Sequence, residues 1–216
     1  PVLPVAGLVI VWMYQRFSSL SLKGMTLVFE AGQKKREEIP LALVPLVMIG
    51  TWITHLFGGS AGREGVAVQI GATLSHEAGR RLHIEEKAPV MLITGMAAGF
   101  GGLFQTPLAA VFFAMEVIVS GYVEYDALLP AMIASYTAST TSHLLGLEKF
   151  AVDVQEIWKI GDVKNAGILI ILGLAFGLTG RCFSVFLQKA KKLAGDKISN
   201  PRVRIGCFAV PLAVIL

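Results

Sequence analysis

Residues 58–71 read Gly58-Gly59-Ser60-Ala61-Gly62-Arg63-Glu64-Gly65-Val66-Ala67-Val68-Gln69-Ile70-Gly71, a glycine-rich loop that opens directly into an apolar helix. Glycines let backbone amides crowd together, and the first amides of a helix have no partner within it. Free amides at the positive end of the helix dipole form an anion site without any full positive charge, which suits a path along which the anion must also leave. Glu64 is the anomaly, a carboxylate placed where the anion should go. An acid at the centre of a membrane helix costs about 2.5 to 3.5 kcal/mol on insertion scales, so Glu64 is a functional candidate. It competes with the anion when ionised and withdraws when protonated. The competing accounts are a salt bridge with Arg63, which the divergent directions of adjacent helical residues weaken, and a helix end near the aqueous surface.

The rest of the chain supports a membrane setting. Its 216 residues are 54% hydrophobic with 23 glycines and only 16% charged. About 25% charged is usual for soluble domains, so too little polar surface remains to coat a globule of this size. The mean hydropathy of +0.66 agrees. Disorder is excluded by the hydrophobicity, and a disulfide scaffold by the isolation of Cys182 and Cys207. The net charge of +4 resides in short basic clusters between apolar runs, the pattern of cytoplasmic membrane loops, so nucleic acid is not read as a partner. The chain starts at Pro1 and stops at Leu216 inside an apolar run too short to cross a bilayer, so we expect a fragment of a longer protein.

Apolar runs cover residues 2–14, 39–57, 65–79, 88–103, 107–120, 127–145 and 166–187. Their unequal lengths carry information. A helix over 65–79 reaches only about 22 Å, short of a hydrocarbon core about 30 Å thick, so it should begin or end partway through the membrane. The positive-inside rule places the clusters at 34–36, 80–87 and 189–197 in the cytoplasm. The chain then returns inside by Arg80 through the break at 58–64 and a short helix. A second break at 104–106 repeats the arrangement, and 148–164 lies outside. Irregular backbone at that depth survives only when buried in protein or lining a polar cavity, and broken helices of this kind mark transport sites. Close helix packing is expected at Gly95 with Gly99, at Gly173 with Gly177, and along residues 131–139.

Three enzymatic motifs fail or weaken on inspection. Residues 58–62 match G-x-S-x-G with Ser60 as nucleophile, but that elbow needs a preceding strand and His and acid partners, and His143 is the only downstream histidine within a span. An intramembrane serine hydrolase is the reading from another class. His76-Glu77 begins like H-E-x-x-H, but Arg80 holds the second histidine position. The glycine spacing lacks the lysine of a P-loop. No metal, cofactor or enzymatic activity is therefore expected.

Gly62-Arg63-Glu64-Gly65 resembles the G-[KR]-E-G-P signature of the CLC chloride channels and proton-coupled anion exchangers. Residues 95–116, which run from Gly95 through Pro107 to Glu116, resemble that family's second conserved block. The resemblance covers nearly the whole chain and implies an all-α integral membrane protein of inverted-repeat CLC architecture, with broken and re-entrant helices. Residues 1–216 would form a single transmembrane domain, most of the first inverted half, in a homodimer whose subunits each hold a pore. Glu64 matches the external gating glutamate. Gly24, Met25 and Thr26 open the stretch where the G-S-G-I-P anion loop is expected, so the implied anion-binding residues are Gly24, Met25, Thr26, Gly62, Arg63, Gly65 and Val66. Glu116 ranks second, with a hydrogen bond to loop amides as its competing role.

Met25 stands where the family serine would coordinate chloride, and Val66 replaces the proline of the signature. Both departures resemble the bacterial fluoride-exporting branch. A thioether does not donate a hydrogen bond as a hydroxyl does, so a chloride site would be altered. Val117 follows Glu116 where many exchangers carry an internal proton-transfer glutamate. The expectation is a fluoride/proton antiporter, with fluoride, protons and lipid as partners, in a bacterial inner membrane; a chloride channel or chloride/proton exchanger is the alternative.

Topology is testable in a cysteine-free background of the full-length protein carrying Lys35→Cys, His83→Cys or Gln155→Cys. An impermeant thiol reagent applied outside is expected to label only position 155; labelling at position 83 would reject the re-entrant arrangement.

Overall fold

The computed structural model describes residues 3–35, 38–84, 88–118, 122–147, 163–198 and 200–215. Helices form wherever the apolar runs predict them: α1 Leu3–Phe17, α3 Leu43–Leu56, α4 Arg63–Arg81, α5 Ala88–Phe104, α6 Pro107–Val117, α7 Leu128–Leu144 and α8 Val163–Lys197, with α9 Pro201–Ile215 following. A 3-10 turn over Ser19–Lys23 leads into α2, Met25–Gly32, which lies outside the apolar runs. No strand occurs among the described residues. The chain divides into two compact units, residues 1–150 with 209–216, and residues 151–208.

The first unit is organised around α5, which packs on α4, α6 and α7. Glycine explains how close that packing is. A Cβ at Gly71 would collide with the carbonyl oxygen of Gly95, and one at Gly99 with that of Ala67. The two backbones therefore touch directly, as small residues at four-residue spacing allow. Gly101 lies equally close to Ser135 Oγ on α7, whose hydroxyl donates to Pro107 O at 3.1 Å. Around these contacts Leu92, Ile93 and Met96 of α5 form the core with Leu27 and Val28 of α2, Val68 and Ala72 of α4, and Val111 of α6.

Both predicted breaks are present. Between α3 and α4 the chain turns at Gly58, with φ of +80°, and runs irregularly to Gly62. Between α5 and α6, Gln105 takes φ of +53°, its side-chain amide donates to Leu147 O, and Pro107 starts α6 at the position where a missing N–H costs nothing. α6 has 11 residues, about 16 Å of helix, and is short as expected.

α4 differs from its expectation. It has 19 residues rather than the run 65–79, because the polar residues at both ends join the helix. Arg63 and Glu64 form its first turn, where an acid is favourable. Arg80 and Arg81 close its last turn and pair with Glu77 at 2.7 and 2.8 Å. At about 28 Å it is a nearly membrane-thick element.

In the second unit, α8 extends the run 166–187 to Lys197, since the lysines after the apolar segment are good helix formers. Residues 165–197 are long and apolar enough to cross a membrane. The packing role expected of Gly173 and Gly177 is not found: nothing among the described residues comes within 4 Å of a Cβ there, because α8 is exposed along its apolar length. The segment 148–162, expected outside, and Arg36 and Lys87 of the basic clusters lie outside the described residues.

Gly99→Ala and Gly102→Ala make the same change on one helix, yet a Cβ at Gly102 meets Ala138 at an ordinary 3.5 Å. We expect Gly99→Ala to lose about 1 to 3 kcal/mol of stability through overpacking. Gly102→Ala should stay within about 0.5 kcal/mol of wild type. Thermal midpoints of the full-length protein in detergent check the difference.

Candidate functional site

Two helices begin at glycines whose missing side chains leave the first turn open. α4 starts after Gly62, extended at φ −67° and ψ 133°, and no side chain caps it. α2 starts after Gly24, at φ +54° and ψ −128°, also without a side-chain cap. That backbone region belongs to glycine, which explains Gly24 at the turn from 3-10 to α-helix. Each start presents unpaired N–H groups and the positive end of a dipole.

The fold brings these two starts together. A Cβ at Gly65 would lie 3.9 Å from Met25 Cγ and 3.8 Å from Gln69 Nε2, while one at Gly24 would lie 3.8 and 3.9 Å from the two amide atoms of Gln69. Gly24, Met25 and Gly65, far apart in sequence, thus share one junction. Gln69 stands inside it, and the sequence reading did not single it out. Its signal was nevertheless present: it lies one helical turn after Gly65, a polar residue on the face that buries Val68, Ala72, Thr73 and His76.

The other candidates surround this junction or lie apart from it. Glu64, the second residue of α4, is exposed, with Oε2 3.0 Å from where a Cβ of Gly62 would stand. Its carboxylate is folded back over the glycine loop rather than into the junction. Among the described residues it forms no ion pair with Arg63, which is also exposed. Val66 is half-buried and Thr26 exposed in the first turns of α4 and α2. Glu116 is exposed near the end of α6 and makes no hydrogen bond to loop amides among the described residues. Ser60 follows helix α3 rather than a strand, so the context required of a nucleophile elbow is absent there.

Comparison with known families gives a match to the family "Voltage gated chloride channel" over residues 6–216. The chain belongs to the CLC family. This CLC chain is 34% identical over 189 residues to a chloride/fluoride channel protein of Pseudomonas syringae pv. tomato, covering 87% of this chain and 41% of that one. It is 29% identical over 160 residues to an H(+)/Cl(-) exchange transporter of Salmonella newport, covering 70% and 32%. A crystal structure of a CLC-type fluoride/proton antiporter superposes with a TM-score of 0.94 at 46% identity, covering 99% of this chain and 54% of that one. The chain therefore spans about half the length of these relatives or less. Its all-helical CLC fold and membrane setting follow from the same matches.

Gly24 and Gly65 differ in what they tolerate. Space exists at both, since neighbours stand no nearer than 3.8 Å, but only Gly24 has positive φ. Gly24→Ala is expected to lose about 1 to 3 kcal/mol through backbone strain, and Gly65→Ala to keep wild-type stability. Paired unfolding curves check this.

Proposed function

We propose that this chain contributes the first half of a fluoride/proton antiporter that exports fluoride across a bacterial inner membrane as a homodimer. The observation that carries the reading is the junction where the open starts of α2 and α4 meet beside Met25 with Glu64 at its mouth. The similarity to a CLC-type fluoride/proton antiporter over 99% of the chain supports the choice of ion. Fluoride is small and strongly hydrated, so a site must replace its shell with close, rigid donors. Backbone amides fixed by two helices meet that need.

Glu64 supplies the coupling. When ionised, it is attracted to the amides and positive helix end that also attract the anion, so the two compete. When protonated, it loses that attraction, leaves the junction to the anion and holds a proton for delivery to the other side. The exposed carboxylate over Gly62 represents the withdrawn position in this scheme. Arg63, beside it at the loop, adds positive potential at the entrance. The chloride-exchange alternative draws on the Salmonella relative, but the Met25 side chain offers chloride no donor in place of a serine hydroxyl.

Proteoliposomes of the full-length protein test both parts. Wild type should release fluoride well ahead of chloride and take up protons as it does so. Glu64→Gln should abolish anion-driven proton uptake. Chloride efflux as fast as fluoride efflux would reject the fluoride assignment, and coupling unchanged in Glu64→Gln would remove Glu64 from the mechanism.

A further inference from the structure

Gln69 is only 8% exposed, and its side-chain amide has no hydrogen-bond partner among the described residues. Its backbone carbonyl accepts from Thr73 Oγ1 at 2.7 Å, which leaves the side chain uninvolved. A carboxamide withdrawn this far from solvent with no protein partner is open to a ligand that supplies the hydrogen bonds it lacks. The amide is also not sealed in. No fully occluded side-chain nitrogen or oxygen among the described residues lacks a partner, so both atoms of this unpaired group retain accessible surface. The amide faces the junction, because a Cβ at Gly24 or at Gly65 would stand 3.8 to 3.9 Å from its atoms, and neither glycine has a side chain to fill that space.

The neighbours narrow what can bind there. Gly24 and Gly65 contribute backbone, and Met25 is a thioether without a donor. The nearby dipole ends of α2 and α4 are both positive. Gln69 is the side chain of this junction that carries N–H groups, and rotation of one terminal bond presents them to a ligand. A ligand satisfying all of this accepts hydrogen bonds and is negatively charged.

We propose that Gln69 is a specificity-determining residue of the anion path, donating from its carboxamide to the permeating anion where α2 and α4 meet. This deepens the antiporter reading and rests on it for the identity of the ion. A side-chain donor beside fixed backbone amides rewards the ion with the highest charge density, so Gln69 favours fluoride over chloride. A packing wedge that merely holds the two turns apart would leave that preference alone, and the two roles are thereby separable.

The experiment uses the full-length protein carrying Gln69→Leu, which removes the donors, and Gln69→Glu, which keeps the shape but replaces them with acceptors. Fluoride and chloride binding to detergent-solubilised protein is measured by titration calorimetry, and efflux of both ions from proteoliposomes is recorded with thermal midpoints. Fluoride affinity and flux should fall about tenfold or more in Gln69→Leu, the loss expected for a hydrogen bond to a charged group, and further in Gln69→Glu. The fluoride-to-chloride ratio should fall with them. An unchanged ratio in both variants overturns the proposal, as do two variants that fail to fold or a wild type that binds neither ion. Uncoupled fluoride flux in wild type would reject antiport while leaving the Gln69 comparison intact.

Discussion

The direct backbone contact between α4 and α5 is the constraint on which the rest of the first unit depends. Gly71 meets the carbonyl of Gly95, and Gly99 meets that of Ala67, so no side chain separates the two helices. Close packing of this kind gains from dispersion and geometry rather than from a hydrophobic driving force, which lipid tails do not supply between helices. Ser75 Oγ reinforces the pair by donating to Met91 O at 2.5 Å. With α4 held in one position along α5, its start stands where α2 begins, and Gln69 is carried into the gap.

The site follows from what the helix starts lack. Gly62 and Gly24 have no side chains with which to cap α4 and α2, so no side chain satisfies the first amides there, although Leu27 N–H of α2 donates to Gly24 O at 3.0 Å. An open start is a cost to the isolated helix. It is also what a transport site needs, because partial charges on fixed amides bind an anion without trapping it. Glu64 sits exposed in the first turn of α4, where the dipole favours a carboxylate. Gln33 Nε2 donates to Ile118 O at 3.0 Å, which ties the far end of α2 to the end of α6 and keeps α2 from pivoting about Gly24.

Most of the helices were legible because each apolar run exceeds ten residues and is bounded by glycine, proline or charge. The break at Gln105 was legible from Pro107, and the CLC family from the segments around Glu64 and Glu116. α2 was missed because its eight residues are too few for the period to show. The ends of α4 were misplaced because Arg63, Glu64, Arg80 and Arg81 look like loop residues, whereas the helix dipole and the pairs with Glu77 keep them helical. Gly95 and Gly173 carry the same spacing signal, but only Gly95 has a helix against it among the described residues.

The sequence by itself determined that the chain is helical, belongs in a bilayer, breaks its helices at glycine-rich loops and places Glu64 at one of them. Those properties depend on composition and on neighbours within a few residues, which a linear reading contains. Only the tertiary structure decided that Met25 lies against Gly65 and Gly24 against Gln69, that the Glu64 carboxylate lies over Gly62, and that Gln69 is buried between two helix starts. These facts depend on where α2 comes to rest beside α4, a placement set by packing through α5 across more than forty residues of chain, and no local pattern encodes it.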